Sequence, residues 1–213
     1  MRRAALLVAD DIVSAALGVF LGIAPRTLAL SGGSTPRPFH EALAAHAYPW
    51  EEVEVFFGDE RCVPPDHPDS NLRMAREALL SKVPARVHAM PGDSCDAEAY
   101  ERVLRERFGD APPSLDLVLL GLGEDGHTAS LFPGDPALEE RERWVARVER
   151  PDHPRLTLTL PALNAARAVL FLVAGEGKRE ALGRLLDGDD IPAARISAAR
   201  VLVVADRDAS PGR

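Results

Sequence analysis

The 213-residue chain has no glutamine, two asparagines and two lysines, Lys82 and Lys178; every other position counted as Lys or Arg is arginine. Genomic base composition and selection at high temperature both produce that bias, and the sequence does not separate them. Cysteine is equally scarce. Cys62 and Cys95 stand in no CxxC pair and no Cys/His cluster, so neither a disulfide framework nor a structural zinc site is indicated. Two reduced, buried thiols are expected, and with them a cytoplasmic setting. Basic charge is lacking too: the net charge of −8 argues against general nucleic-acid binding, although a local group of cations can still hold a small phosphorylated molecule. No apolar run reaches bilayer length. Asp10 and Asp11 interrupt the N-terminal one, and the uncharged stretch from Ile12 to Pro25 falls short of the ~20 residues a membrane span needs. Ile12, Val13, Ala16, Leu17, Phe20 and Leu21 instead recur at helical spacing behind an Asp cap, which predicts a docked amphipathic helix and no membrane partner. Neither Ser31 nor Ser130 sits in GxSxG, which argues against a serine-nucleophile hydrolase.

Short Val- and Leu-rich runs alternate with helical patterns along the rest of the chain. TLAL (27–30), VEVFF (53–57), LDLVLL (115–120), AVLFLVA (168–174) and VLVVA (201–205) read as strands covered on both faces. WVARV and LTLTL alternate more and suit a mixed or edge region. PFHEALAA, SNLRMAREALLSK, DAEAYERVLRERF and GKREALGRLLD carry apolar residues at three- and four-residue intervals, with Ser70 and Asp96 as N-caps. The order predicts an α/β fold with a mainly parallel central sheet and helices on both faces, one domain over residues 1–213. DRDASPGR reads as a frayed tail.

In open α/β sheets ligands bind beyond the carboxyl ends of the strands, and four strand ends here carry notable residues. SGGSTP offers Gly32, Gly33, Ser34 and Thr35 before a helix that starts near Pro36. It reads either as a phosphate cradle on a helix N-terminus or as a tight turn with Thr35 as N-cap. It is not a Walker motif. GDER supplies Asp59, Glu60 and Arg61, either a solvated cluster in which Glu60 pairs with Arg61 or part of a site; His67, Ser70 and Asn71 beyond it read as loop and helix cap. GLGEDGH sets Asp125 and His127 among glycines, and histidine is the side chain best suited to move a proton near neutral pH. Asp125 orients the imidazole or caps the turn. Arg155 enters a strand and Lys178 opens a helix after GEG, a lysine in a chain that otherwise chooses arginine.

LALSGGSTP, FFGDERCVPPDHPDSN, LDLVLLGLGEDGHTASLFPG and RLTLTLPALNAARAVLFLVAGEGK, in this order over roughly residues 27–180, resemble the 6-phosphogluconolactonase family of the glucosamine/galactosamine-6-phosphate isomerase superfamily. The resemblance implies a modified Rossmann-like fold and hydrolysis of a phosphosugar lactone, 6-phosphoglucono-δ-lactone. It assigns the phosphate to Gly32, Gly33, Ser34, Thr35, Arg155 and Lys178. It makes His127 the general base, with Asp59, Arg61 and Asp125 lining the site, and it calls for no metal and no cofactor. The aminosugar-phosphate isomerase branch follows its DGH with an Asn-Glu-Pro segment, where this chain has Leu131, Phe132 and Pro133. A sugar-phosphate-sensing module of a transcription regulator shares the fold but needs a DNA-binding segment, and no basic helix-turn-helix is present. The sequence sets no oligomeric state, and a monomer is allowed.

Overall fold

The computed structural model describes residues 4–212. Seven strands form a wholly parallel sheet: β1 (Ala5–Val8), β2 (Thr27–Leu30), β3 (Glu54–Phe57), β5 (Arg86–Val87), β6 (Leu117–Leu120), β9 (Val169–Val173) and β10 (Val201–Ala205), in the order β1-β10-β9-β6-β2-β3-β5. Every residue of β2, β6 and β9 is buried, which is why these strands read as unbroken Val/Leu runs rather than alternating ones. From β2 the chain steps outward to β3 and β5; from β6 it steps the other way to β9 and β10. The direction therefore reverses between β2 and β6, and a crevice opens beyond their carboxyl ends. SGGSTP and GLGEDGH flank that crevice.

The helices are α1 (Ile12–Ile23), α2 (Pro36–Ala45), α3 (Asn71–Ala75), α4 (Ala97–Phe108), α5 (Leu160–Asn164) and α6 (Arg179–Asp187), with a π-helical stretch, Arg76–Leu80, prolonging α3. Right-handed crossovers from a sheet that reverses direction put helices on both of its faces. Asp11 caps α1 through Val13 and Ser14 N–H, Ser70 caps α3 through Arg73 N–H, and Asp96 caps α4 through Ala99 N–H. A second, three-stranded antiparallel sheet joins β4 (Asp59–Arg61), β8 (Arg155–Leu158) and β7 (Val145–Val148). The chain leaves β3 at Gly58 and enters this sheet at once.

Several expectations need correction. The thiols are not free: Cys62 and Cys95, both half-buried, are joined in a disulfide, because the 91–95 loop packs across the backbone of Arg61 and Val63. A bridge over 33 residues restricts the unfolded chain and contributes about 2–4 kcal/mol. It also removes the thiol argument for a reducing compartment. Ahead of α1 lies β1, an edge strand of four residues, too short to stand out in the apolar run that ends at Asp10. Within α1 the buried face is Ala16 and Phe20, while Leu21 points to solvent. Over its described residues, 206–212, the tail is docked rather than frayed; its last residue lies outside the described residues. Ala209 is fully buried and donates to Asp206, Arg179 donates to the Asp208 carbonyl, and Arg207 pairs with Asp10.

His40 of α2 is fully buried with neither ring nitrogen hydrogen-bonded, and burial pushes its imidazole down to about 4. The unfolded chain takes up this proton near 6.5, so between the two values unfolding is coupled to proton uptake and stability falls as pH falls. From pH 7.5 to pH 5 this ring alone should remove about 2 kcal/mol. Urea midpoints of the parent and of His40→Leu should diverge over that window, the variant losing less on acidification; parallel curves would show that His40 does not set the slope.

Candidate active site

The crevice between β2 and β6 is a cavity of about 240 Å³. Its walls hold Gly32, Gly33, Ser34 and Thr35 from the first loop, Asp59, Arg61 and Asn71 from the second, and His127, Arg155 and Lys178 from the later ones. Nine of the ten site residues expected from sequence thus meet in one place. Asp125, the tenth, does not line the cavity but stands behind the histidine.

The histidine's geometry follows from its turn. Asp125 Oδ1 lies 2.6 Å from His127 Nδ1 and also accepts the His127 backbone N–H at 3.0 Å. Burial works against the Asp125 charge, but the backbone N–H and ring of His127 outweigh it and hold the carboxyl below the ordinary carboxylate value. A carboxylate only accepts, so Nδ1 carries the proton and Nε2 keeps its lone pair. Gly123 is obligatory beneath this pair, because a Cβ there would overlap His127 Nδ1. The Phe132 ring packs against the imidazole with centroids 4.5 Å apart.

Opposite, β4 obeys the period of two of a strand. Asp59 and Arg61 face the cavity, while Glu60 turns into the protein instead of pairing with Arg61. Asp59 accepts from the Ser130 hydroxyl at 2.7 Å and from Asn71 Nδ2 at 3.3 Å. Arg61 donates to Asn71 Oδ1 at 3.0 Å and to the Asp69 carbonyl at 2.7 Å. In the β4–β8 pairing Arg61 sits directly across from Arg155. Like charges at facing positions of a ladder repel, and here both line one cavity. Both also bury an Nε that has no partner, and the Ser31 hydroxyl in the same wall is buried without one. Buried donors without acceptors, gathered around a cavity, form a ready anion site.

The first loop completes it. Thr35 lines the cavity at the N-cap position of α2 and makes no capping hydrogen bond, so the helix N-terminus opens at the crevice with the Thr35 hydroxyl not committed to it. Gly32 must be bare because any Cβ would overlap the Asn71 carboxamide. Lys178 stands 4.0 Å from Glu124, a loose pairing that leaves its ammonium on the cavity wall. Sequence reasoning missed Asn71, Ser130 and Ser31. Asn71 touches Gly32, Asp59 and Arg61 at once, and its signal was present in the motif that runs from GDER to SN, where it directly follows the Ser70 cap.

Residues 3–204 match the family described as glucosamine-6-phosphate isomerases/6-phosphogluconolactonase. The chain is 52% identical over 169 residues to a 6-phosphogluconolactonase of Synechocystis, covering 75% of this chain and 70% of that relative. Among solved structures, 6-phosphogluconolactonase from Trypanosoma cruzi superimposes with a TM-score of 0.89 at 29% identity, over 99% of this chain and 97% of the other. The corresponding protein of Thermotoga maritima gives 0.86 at 29% identity, over 96% and 100%. With these matches and the fold they share, the chain belongs to the glucosamine-6-phosphate isomerase/6-phosphogluconolactonase family.

Proposed function

We propose that the protein hydrolyses 6-phospho-D-glucono-1,5-lactone to 6-phosphogluconate, the lactonase step of the oxidative pentose phosphate pathway, as a single unit over the chain. The observation that carries this reading is the facing pair Arg61 and Arg155, each with an unpartnered buried Nε, on a cavity that also holds an oriented His–Asp pair. The cations and the Ser31–Thr35 loop suit a phosphate, and the histidine suits proton transfer at the other end of a phosphosugar. A δ-lactone is an activated ester, so water attack assisted by one base suffices. His127 Nε2 takes a proton from water as it attacks the carbonyl and returns it to the departing ring oxygen. Arg61 or backbone N–H groups meet the developing oxyanion. Among the described residues no helix is long and apolar enough to cross a membrane. A phosphosugar does not cross membranes unaided, and this supports the cytoplasm as the setting.

The isomerase reading needs a carboxylate behind the histidine from the segment after DGH. Phe132 there offers an apolar ring instead, which favours the lactonase. A sensing module has no use for a histidine held in one tautomer. A coupled assay of one preparation on 6-phosphogluconolactone and on glucosamine 6-phosphate tests the proposal; turnover of the aminosugar alone overturns it.

Within this reading Arg155 and Lys178 supply affinity. Losing one charge-assisted contact costs ~1.5–3 kcal/mol, roughly ten- to a hundredfold in binding. Arg155→Ala and Lys178→Ala should each raise KM for the phosphorylated lactone by that factor and leave the unphosphorylated lactone little changed. Equal losses on both substrates would show that neither residue reads the phosphate.

A further inference from the structure

Outside the cavity, two loops remote in sequence bring His67, Asp69 and His153 together. Their ligand atoms all lie within 4.8 Å of one another, the histidines half-buried and the aspartate exposed. Asp69 Oδ2 is 3.2 Å from His153 Nε2 and 3.8 Å from His67 Nδ1, and the two rings meet edge to face with centroids 5.3 Å apart. A tetrahedral zinc ion with ligand bonds near 2.0–2.1 Å sets its donors about 3.3 Å apart. The three donors are therefore within a small side-chain rotation of that arrangement. The donor set is also right in kind: two imidazoles and one carboxylate suit a borderline ion such as Zn²⁺ and are poor for Mg²⁺ or Ca²⁺, which take oxygen.

We propose that His67, Asp69 and His153 form a divalent transition-metal site on the rim of the cavity, of the zinc type, with water as fourth ligand. His67 Nδ1 now accepts the Asp69 backbone N–H at 3.2 Å and exchanges it for the ion. The placement gives the ion a consequence. The Asp69 carbonyl anchors Arg61, and His153 stands two residues before Arg155. A bound ion ties the loop that holds one cavity arginine to the loop that leads into the other. It acts as a brace between the two walls and takes no part in bond breaking, so it stands whether or not the lactonase reading does. Asp152 is already engaged by Arg155, at 2.6 Å, and is left out of the donor set.

The test is direct binding of Zn²⁺ and Co²⁺ to chelator-stripped full-length protein. One equivalent should bind, with Co²⁺ giving the visible absorption of a tetrahedral site. Zn²⁺ at a hundred times its Kd should raise Tm by about 5–10 °C. His67→Asn and His153→Gln, each first shown folded by circular dichroism, should weaken binding by more than the roughly 10–100-fold that loss of an outer-shell partner costs, and should lose the Tm shift. No saturable equivalent in the parent overturns the proposal. So does a saturable equivalent that both variants retain, since the ion then sits elsewhere. Asp69→Asn is the third arm: unchanged affinity there removes the carboxylate from the site and overturns the site as drawn.

Discussion

His127→Ala should fold, bind 6-phosphogluconate nearly as the parent does, and lose about a hundred- to ten-thousandfold in kcat. The expectation rests on how the residue is held. Asp125 fixes the tautomer by accepting from Nδ1, so the lone pair belongs to Nε2, on a side chain that lines the cavity. None of the candidate phosphate contacts depends on the imidazole: the Ser31–Thr35 loop, Arg155 and Lys178 come from other elements. Binding and turnover should therefore separate. Burial works against the Asp125 charge, but the backbone N–H and ring of His127 outweigh it and hold the carboxyl below the ordinary range, which keeps Asp125 in its role as acceptor. Gly123→Ala should reproduce much of the defect without touching the histidine, since its methyl group displaces the ring. Near-parental turnover by His127→Ala, after the spontaneous rate is subtracted, would remove it as the base and leave Asp59 as the better candidate.

What made the site legible was the position of its residues at strand ends. β2, β6 and β9 are buried on both faces, so their apolar runs stand out, and whatever polar residues follow them must lie at the crevice. Gly32 to Thr35, His127 and Lys178 were found in this way. The second wall was harder to read. Asp59 to Arg61 form a three-residue strand too short to show a period, and its partner β8 lies 94 positions away in register at Arg61 and Arg155. Nothing local distinguishes Glu60, which turns inward, from its neighbours, which turn to the cavity. The same distance hid the disulfide and the His67–Asp69–His153 cluster, both of which depend on loops that only the folded chain brings together. Ser70 was legible as the cap of α3, and it is; Asn71, the first residue of that helix, carried no separate signal of its contacts with Gly32, Asp59 and Arg61.

Those contacts of Asn71 depend on Glu60, and removing its carboxylate should be the most damaging change to the site that leaves every cavity-lining residue in the sequence. Glu60 is 2% exposed. Its Oε1 accepts the backbone N–H groups of Arg61 at 2.8 Å and Asn71 at 2.7 Å; its Oε2 accepts Leu72 N–H at 2.7 Å and the Ser70 hydroxyl at 3.1 Å. Burial pushes the carboxyl up, and these four donors oppose it. Asn71 and Leu72 open α3, where N–H groups have no partner within the helix. Glu60→Ala leaves those donors buried and unsatisfied, at a cost on the order of 3–5 kcal/mol, a large part of the 5–15 kcal/mol that holds a domain folded. With Asn71 released, Arg61 loses its side-chain partner and Gly32 its neighbour. The KM for the phosphorylated lactone should then rise well above that of the parent, and kcat should fall with it to the extent that Arg61 meets the oxyanion, although Glu60 itself neither meets substrate nor moves a proton. Should Glu60→Ala fail to fold, Glu60→Gln carries the test: its amide keeps one acceptor but turns an NH₂ toward donors, so a smaller loss of stability in urea should accompany the same KM shift. If Glu60→Gln matches the parent in both urea midpoint and KM, the carboxylate does not position this wall.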